Sequence, residues 1–240
     1  MRVLVVGGSG KVGSLIVPAL SREFEVRVYD RVSPAFAVHR FIEGDVTDPE
    51  RLVSAAEGMD CLLYMAMGSW QRGAVRWVEE PAAAYDVNVR GLHFALAAAV
   101  KAGVGRAIYT SSLSVYDGQY DLRSGLCNSE ETSALPTGLY GFTKRLGEQV
   151  CEYFTRAHNL PTMALRLFLP VSQEVWQTER REDERPDCRT SGPDLARAVS
   201  AAIRYQGNGF EIVHITGDDT GRAFQHEKAG RLLGWAPAAR

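Results

Sequence analysis

The sequence predicts an α/β fold in which helices cover both faces of a doubly wound parallel sheet, with a small C-terminal lobe. Short apolar runs rich in Val, Leu and Ile recur along the chain, and helical patterns separate them. Strands that are buried on both faces have this near-continuous apolar character. The chain has 240 residues, 45% of them hydrophobic, and this suits one large domain, or one domain with a small lobe, around a full core.

The N-terminal part of the chain alternates strands and helices. A β-branched run stops at a group of glycines, and the helix that follows has one apolar side. Asp30 ends the second strand, and the fourth strand is apolar throughout. In order, the predicted elements are strand Arg2 to Val6, helix Gly13 to Arg22, strand Glu25 to Tyr29, strand Arg40 to Ile42, helix Pro49 to Glu57 and strand Cys61 to Met67.

The same alternation continues to the C-terminus and weakens after Pro170. The charge-dense stretch from Glu174 to Arg189 is expected to be a solvated loop or a small helix. Gly234 ends the last helix. The predicted elements are helix Ala82 to Ala102, strand Arg106 to Thr110, helix Tyr140 to His158, strand Thr162 to Leu167, helix Asp194 to Tyr205, strand Glu211 to Ile215 and helix Glu227 to Leu233.

Composition and charge exclude several classes of protein. The apolar content excludes a disordered chain, and a net charge of −2 does not indicate a polyanion-binding surface. No run approaches the roughly eighteen apolar residues of a membrane span, and the N-terminus lacks a signal peptide's apolar stretch, so we expect a cytoplasmic protein. We expect reduced thiols and no metal site from the four scattered cysteines, Cys61, Cys127, Cys151 and Cys188.

A glycine-rich turn, GGSGKVG at residues 7–13, carries the first chemical signal. Glycines allow the backbone to turn tightly and approach a pyrophosphate, and the helix that follows presents free N–H groups. The pattern alone is weak, but here it follows a strand and opens a helix, and the next strand ends in an acidic residue, Asp30. The sequence therefore predicts dinucleotide binding.

The residues after the second and third strands bear on the choice of cofactor. Asp30 is expected to accept hydrogen bonds from the adenosine ribose and to repel a 2′-phosphate, which favours NAD over NADP. Arg31 argues the other way, because a guanidinium there could pair with that phosphate. Asp45 is placed to meet the adenine edge, or else serves as a helix cap or turn residue.

A second signal is the spacing of a phenol and an ammonium group. Tyr140 and Lys144 lie one helical turn apart on the same face of a predicted helix. Thr110, Ser111 and Ser112 lie at the carboxyl end of a buried strand, where parallel sheets place their ligands. The spacing of the pair alone is only suggestive.

Taken together, the motifs resemble the extended short-chain dehydrogenase/reductase family, the NAD-dependent epimerase/dehydratase group. They follow that family's order over almost the whole chain, which implies its Rossmann fold. The matching segments are GGSGKVG (7–13), GDVTD (44–48), NVRG (88–91), YTSSLSVYDG (109–118), YGFTK (140–144) and LGWAP (233–237).

The resemblance implies that Ser112 is the catalytic serine, Tyr140 the acid/base and Lys144 its partner. Free tyrosine titrates near 10, too high for a base at neutral pH. A lysine cation about 5 Å away contributes roughly 3 kcal/mol at an effective dielectric near 20, so we expect it to lower the pKa of Tyr140 by about two units. Tyr140 could then take the proton from a substrate hydroxyl as hydride leaves for the nicotinamide.

We expect residues 1–170 to form the NAD(P)-binding domain with the catalytic residues, and residues 171–240 to form the small substrate lobe. Asn88 is expected either to hydrogen-bond across to the active-site strand or to satisfy a local backbone group. The expected cofactor contacts are Gly7, Ser9, Gly10, Lys11, Val12, Gly13, Asp30, Arg31, Asp45, Val46, Met65, Ala66, Met67, Asn88, Thr110, Tyr140, Lys144 and Leu167. The expected substrate contacts are Gly68, Ser69, Ser112, Leu113, Phe168 and Leu169.

Departures from the family pattern bear on the substrate. Leu169 stands where many nucleotide-sugar enzymes have an asparagine, and the stretch between Pro170 and Ser191 is short. A small lobe favours a smaller substrate, such as a free sugar or sugar acid, and its layout resembles the uronate dehydrogenase branch. Arg166 either binds a substrate carboxylate or makes a structural ion pair.

These observations predict an NAD-dependent oxidoreductase that acts on a hydroxyl of a carbohydrate-like molecule. A nucleotide-sugar epimerase and a dinucleotide-sensing regulator are the alternatives. A dehydratase is disfavoured, because Leu113 and Ser114 stand where dehydratases of this family usually carry an acidic pair. The helices at 82–102 and 140–158 could pair in a homodimer or cover the sheet of a monomer.

Overall fold

Seven parallel strands form a single sheet in the computed structural model, which describes residues 1–68, 81–119, 129–179 and 186–238. The strand order is β3-β2-β1-β4-β5-β6-β7, so the α/β doubly wound prediction is confirmed. The order reverses between β1 and β4, where open parallel sheets have their ligand crevice. The strands are β1 Arg2–Val6, β2 Glu25–Asp30, β3 Arg40–Glu43, β4 Cys61–Tyr64, β5 Ala107–Ser112, β6 Thr162–Leu167 and β7 Phe210–Ile215.

Helices pack against both faces of the sheet because successive strand residues point to opposite sides. On β1, Val3 and Val5 join the core beneath α1 and α7, whereas Leu4 and Val6 join the core beneath α2, α4 and α5. The helices are α1 Lys11–Leu20, α2 Pro49–Ala56, α3 Pro81–Tyr85, α4 Leu92–Lys101, α5 Leu139–His158, α6 Gln173–Thr178, α7 Gly192–Arg204 and α8 Glu227–Leu233.

The long helix predicted from Ala82 to Ala102 is interrupted by a wide π turn, Asp86–Gly91, between α3 and α4. A β-carbon on Gly91 would lie 2.6 Å from Cγ2 of Val46, so the helix approaches the loop after β3 as closely as a glycine permits. Such turns inside helices occur frequently at functional sites, and this one contains Asn88.

The residues after 170 add the last strand of the sheet and a helix that covers one of its faces. Strand β7 pairs with β6, and α7 packs against α1. A small apolar cluster joins this part of the chain to the segment after β5; its buried members are Leu113, Val115, Tyr116, Cys188, Ala223 and Phe224. Helix α8 has the predicted bounds and ends at Gly234, whose φ of 60° lies in the left-handed region.

The charged stretch from 174 to 189 contains the short helix α6 and an irregular segment at 186–190, and residues 180–185 lie outside the described residues. Cys61, Cys151 and Cys188 are buried free thiols, and Cys127 lies outside the described residues. No helix of the described ranges is long and apolar enough to cross a membrane.

Candidate active site

The glycine-rich turn joins β1 to α1 at the point where the strand order reverses. Gly7 has φ of 82°, and a β-carbon there would lie 2.3 Å from the backbone nitrogen of Ala66. A β-carbon on Gly13 would lie 1.9 Å from the carbonyl oxygen of Gly8. The packing of the turn against β4 and α1 therefore requires glycine at both positions.

Gly10 and Ser9 show that the turn fits a phosphate group. A β-carbon on Gly10 would have its nearest neighbour at 3.6 Å, so protein packing does not require glycine there. The Ser9 hydroxyl oxygen is buried and has no hydrogen-bond partner among the described residues. The first turn of α1 has no side-chain cap and no acidic residue, and Lys11 is its first residue. An anion at this end would meet free N–H groups and the positive end of the helix dipole.

Asp30 is fixed at the edge of the crevice by backbone groups. The Ser9 N–H donates to Oδ2 of Asp30 at 2.9 Å, and the Val32 N–H donates to Oδ1 at 3.3 Å. The carboxylate thereby couples the end of β2 to the glycine-rich turn. This position at the end of β2 fits the expected hydrogen bonds to ribose hydroxyls.

Asp45 is built into a turn, one of the two expected roles. Its Oδ1 accepts hydrogen bonds from the Thr47 N–H at 2.9 Å and the Thr47 hydroxyl at 2.8 Å, and the backbone bond is the largest cause that lowers the pKa of Asp45. Its Oδ2 lies 3.8 Å from the exposed Arg31 guanidinium, a weak surface pair. Contact of Asp45 with an adenine remains a prediction.

The other residues expected around the cofactor follow the ends of β3 and β4. Val46 is buried against Gly91, Met65 is buried, and the side chain of Met67 is exposed. Gly68 is buried, and a β-carbon on it would lie 2.3 Å from the Ala83 carbonyl oxygen. Val12 is half-buried, and Ser69 lies outside the described residues.

Asn88 links two elements, and neither expected alternative describes its contacts. Its Oδ1 accepts from the Gly68 N–H at 3.2 Å, and its Nδ2 donates to Oγ1 of Thr143 at 2.9 Å. The Thr143 hydroxyl in turn donates to the Tyr140 carbonyl oxygen at 3.0 Å. The π turn faces α5. The side-chain amide of Asn88 therefore forms hydrogen bonds with this helix and with the loop after β4, and not with strand β5. Asn88 thereby holds the turn of α5 that carries Tyr140.

The predicted catalytic residues meet at the end of β5. Ser112 is the last residue of that strand and caps a single 3₁₀ turn, Leu113–Tyr116, by accepting the Ser114 N–H at 3.1 Å. Its side chain is hydrogen-bonded to that of Tyr140, which lies in the first turn of α5. The Lys144 Nζ donates to the Thr110 carbonyl oxygen at 2.8 Å.

The electrostatics of this group differ from the expectation. Burial raises the pKa of Tyr140 above its usual 10, and the hydrogen bond with Ser112 opposes that rise. The expected lowering of the pKa by Lys144 is therefore wrong for this state, in which burial of the phenol sets the direction of the shift. The Lys144 Nζ lies 5.8 Å from the centre of the Tyr140 ring. Burial also lowers the pKa of Lys144 to about 8, with the charge of Glu148 acting in the opposite direction.

Arg166 makes the structural ion pair. Its Nε and Nη2 donate to the two carboxylate oxygens of Glu148 at 2.7 and 2.8 Å, and both side chains are buried. The Ser111 hydroxyl donates to the same carboxylate at 2.7 Å. The guanidinium is thus paired with a carboxylate on α5. This is expected, because a charged group that is buried in a protein must be paired.

The sequence reasoning missed the rest of this buried network. Nη1 of Arg166 donates to the Tyr116 hydroxyl, which also lies 3.1 Å from Nε2 of His214 and 2.8 Å from the Ser129 carbonyl oxygen. A signal for Glu148 was present, since it stands four residues after Lys144 on the same helix face. No sequence pattern indicated the contact between Tyr116 and His214, because the 3₁₀ turn after β5 and strand β7 meet only in the folded protein.

The expected substrate residues occupy different environments. The Leu113 side chain is fully buried in the apolar cluster after β5 and is not open to a substrate. Leu167 is buried in the core beneath α1 and α7, and Phe168 is half-buried against the cluster after β5. Leu169 is 56% exposed and has φ of 33°. Leu169 therefore has a left-handed conformation two residues beyond Leu167, which ends β6 and pairs with Ser112 in the sheet.

A model of the NAD dependent epimerase/dehydratase family matches residues 3–189. The chain belongs to this family. The resemblance drawn from the motifs is confirmed, and the NAD dependence of the family agrees with the cofactor expected from Asp30.

In the described part of the chain, no group of three or more His, Cys, Asp or Glu side chains is arranged to hold a metal ion.

Three similar proteins illustrate the range of the family. The chain is 36% identical to a 3-beta-hydroxysteroid dehydrogenase of Mycolicibacterium neoaurum over 156 residues, 62% of this chain and 42% of that protein. It is 31% identical to a UDP-glucose 4-epimerase of Lactobacillus helveticus over 217 residues, 85% of this chain and 62% of that protein. A solved structure described as a mutated uronate dehydrogenase superposes with a TM-score of 0.81 at 25% identity, covering 99% of this chain and 82% of that one. The chain thus spans less than half the length of the hydroxysteroid dehydrogenase.

Proposed function

We propose that this chain is an NAD-dependent oxidoreductase that transfers hydride between a hydroxyl-bearing carbon of a carbohydrate-like molecule and the nicotinamide. The observation that supports this most directly is the meeting of Ser112, Tyr140 and Lys144 at the end of β5. This end of the strand lies beside the crevice where the strand order reverses and the glycine-rich turn stands. A regulator that only senses a dinucleotide has no need of such a group.

The residues of the crevice suit the two ends of the cofactor. The glycine-rich turn would hold the pyrophosphate, since Gly10 is open and the Ser9 hydroxyl has no partner within the described part of the chain. Asp30 would accept hydrogen bonds from the ribose hydroxyls. When bound, the nicotinamide supplies the hydride acceptor.

The chain's own residues would handle the proton. Ser112 and Tyr140 present two hydroxyls that can hold the substrate oxygen, and Ser112 is fixed by the Ser114 N–H. Tyr140, as phenolate, would take the proton of the substrate hydroxyl while the carbon–hydrogen bond breaks, leaving a carbonyl group. Lys144 would stabilise that phenolate by its positive charge. Because burial raises the pKa of Tyr140, the phenol would need this stabilisation to serve as a base.

The similar proteins support a hydride-transfer reaction, since their names describe dehydrogenases and an epimerase. The carbohydrate-like substrate is supported by the superposition on the uronate dehydrogenase structure and by the short segment between Pro170 and Ser191. An epimerase reaction is the second candidate, because the match to the UDP-glucose 4-epimerase covers 85% of the chain.

Absorbance of reduced nicotinamide tests the proposal. The protein is mixed with NAD and a panel of free sugars, sugar acids and nucleotide sugars. Steady accumulation that disappears in Tyr140→Phe, with NAD affinity retained, supports the dehydrogenase. Isomerised nucleotide sugar without accumulation assigns the epimerase instead. NAD binding with no conversion of any compound in the panel contradicts both reactions.

We also propose a cytoplasmic homodimer formed through α3, α4 and α5. Large hydrophobic side chains are exposed on each of the helices α3 and α5, namely Tyr85, Phe142 and Tyr153. Tyr153 stacks on the ring of His93, which joins the surfaces of α4 and α5 into one aromatic face. Light scattering of the wild type and of Tyr153→Lys measures the mass; a monomeric wild type contradicts the dimer.

A further inference from the structure

The ammonium of Lys144 lies in an enclosed space beneath the active site. The side chain is 2% exposed, and its Nζ donates one hydrogen bond, at 2.8 Å, to the Thr110 carbonyl oxygen. The Nζ lies 4.9 Å from the centre of the Tyr109 ring, nearer than the 5.8 Å to the ring of Tyr140. The phenol closer to the ammonium is therefore the one that the reaction does not use.

Tyr109 is held in this position by the shape of its surroundings. Its side chain is buried, and a β-carbon on Gly147 would lie 2.4 Å from its hydroxyl oxygen. The absence of a side chain on Gly147 thus leaves room for the phenol beneath α5. The Tyr109 hydroxyl has no hydrogen-bond partner among the described residues, so no polar contact of the hydroxyl accounts for the position of the ring.

We propose that Tyr109 is a positioning residue for Lys144, whose ammonium is held by the face of the Tyr109 ring and not by its hydroxyl. The inference rests on the proposed function, in which Lys144 stabilises the Tyr140 phenolate. Aromatic rings carry negative charge on their faces, and a desolvated cation over such a face is attracted to it. Burial holds the pKa of Tyr109 well above its usual value, so the ring acts as a neutral phenol.

The other charged groups near Lys144 do not duplicate this contact. Glu148 lies one turn further along α5, and its carboxylate already accepts hydrogen bonds from Arg166, Ser111 and Arg145. The Cys151 thiol on the same helix has its pKa raised by burial and stays neutral. The ring of Tyr109 is therefore the group on β5 that, together with the Thr110 carbonyl, favours the charged form of Lys144.

Nuclear magnetic resonance of the lysine side chains tests the contact without substrate. The chain contains only four lysines, so the ¹³Cε signal of Lys144 can be assigned with Lys144→Arg and followed through a pH titration. We expect Tyr109→Phe to retain the wild-type titration of Lys144, because the ring is kept. We expect Tyr109→Leu to lower the pKa of Lys144 by about one unit, a tenfold change in its protonation equilibrium. Equal titration in Phe and Leu variants would overturn the proposal.

A second series keeps the shape of the ring and guards against misfolding of the leucine variant. Fluorinated phenylalanines at position 109 withdraw charge from the ring face with little change in size. The pKa of Lys144 should fall stepwise with each added fluorine, and a pKa that does not respond to fluorine would contradict a role for the ring face.

Kinetics separate this inference from the proposed function. Provided that the wild type oxidises a compound of the panel, Tyr109→Leu should lower kcat about twofold at pH 7 and nearly tenfold at pH 9, with little change in KM. Tyr109→Phe should keep the wild-type kcat at both pH values. A wild type that oxidises nothing refutes the proposed function, whereas an unchanged titration in the leucine and fluorinated variants refutes the ring contact.

Discussion

Glu148 and Arg166 form a bidentate ion pair inside the protein, with Nε–Oε1 and Nη2–Oε2 distances of 2.7 and 2.8 Å. The pair joins α5, which carries Tyr140 and Lys144, to β6, the neighbour of β5 in the sheet. Both side chains are almost completely buried, at 0% and 2% exposure. The register between the catalytic helix and the strand that ends beside Ser112 therefore depends on a pair of desolvated charges.

Removing one partner of this pair should be strongly destabilising. We expect Arg166→Met to lower the free energy of unfolding by about 3 kcal/mol or more, because Glu148 is left as a buried charge without its main counter-ion. The double variant Arg166→Met/Glu148→Leu should recover part of that loss. Urea unfolding of the two variants measures both effects.

The exposed pair between Arg156 and Glu152 is a matched control on the same helix, with a distance of 3.8 Å. Arg156→Met should change stability by less than about 1 kcal/mol. If Arg166→Met cost no more than this control, the buried pair would not secure α5 to the sheet.

Acid should destabilise the protein through His214. Burial lowers the pKa of this histidine to about 3, with the charge of Arg166 acting in the same direction, and Lys228 and His226 add to it. The unfolded chain binds a proton near pH 6.5, whereas the folded chain does not until about pH 3. The contribution of His214 therefore leaves the free energy of unfolding at its full value above pH 6.5. As the pH falls toward 3, this free energy decreases, by about 2 kcal/mol at pH 5.

Urea unfolding at pH 7 and pH 5 measures this dependence. The loss of stability between the two values should be about 2 kcal/mol smaller in His214→Asn than in the wild type. His158→Asn, at the exposed end of α5, should keep the wild-type loss. An equal loss in wild type and His214→Asn would show that His214 is not the group that resists protonation.

The glycines of the turn should separate folding from cofactor binding. Gly13→Ala places its new methyl 1.9 Å from the Gly8 carbonyl and should prevent stable folding. Gly10→Ala meets nothing closer than 3.6 Å, so its melting temperature should stay near that of the wild type. Its NAD affinity should fall at least about tenfold, because the methyl occupies the space in which a phosphate would approach the backbone.

Calorimetric titration of Gly10→Ala with NAD measures the affinity, and a thermal melt of the same variant measures its folding. Weak NAD binding by a folded variant supports binding of the pyrophosphate at the glycine-rich turn, whereas wild-type affinity would contradict that place.

The sequence predicted the elements whose signals are local. The strands are continuous apolar runs, so β1 and β6 have their predicted bounds, and Gly234 marks the end of α8 because only a left-handed residue closes that helix. The π turn around Asn88 was not predictable, since it packs Gly91 closely against Val46, a contact between residues distant in sequence.

In the candidate site, too, some features were predictable from the sequence and others depend on how the chain packs. Ser112, Tyr140 and Lys144 were expected from the resemblance of the motifs to the family, and they come together in the fold. The direction of the pKa shift of Tyr140 was not, because it depends on how much water the surrounding elements exclude. The partner of Arg166 was undecided for a similar reason, since the choice of Glu148 requires the packing of α5 on β6.

Leu169 stores backbone strain at the edge of the expected substrate site. Its φ of 33° lies in the left-handed region, which costs a leucine roughly 1–2 kcal/mol but is tolerated by asparagine. Because the side chain is exposed, little burial is lost on substitution. Leu169→Asn should therefore raise the free energy of unfolding by about 0.5–1 kcal/mol, whereas Leu169→Ala keeps a β-carbon and should give no gain. Urea unfolding of the two variants provides the comparison, and equal stability would show that the strain is absent.

If Leu169 contacts the substrate, the same substitutions should change KM while leaving kcat close to the wild-type value, since Tyr140, Ser112 and Lys144 are untouched.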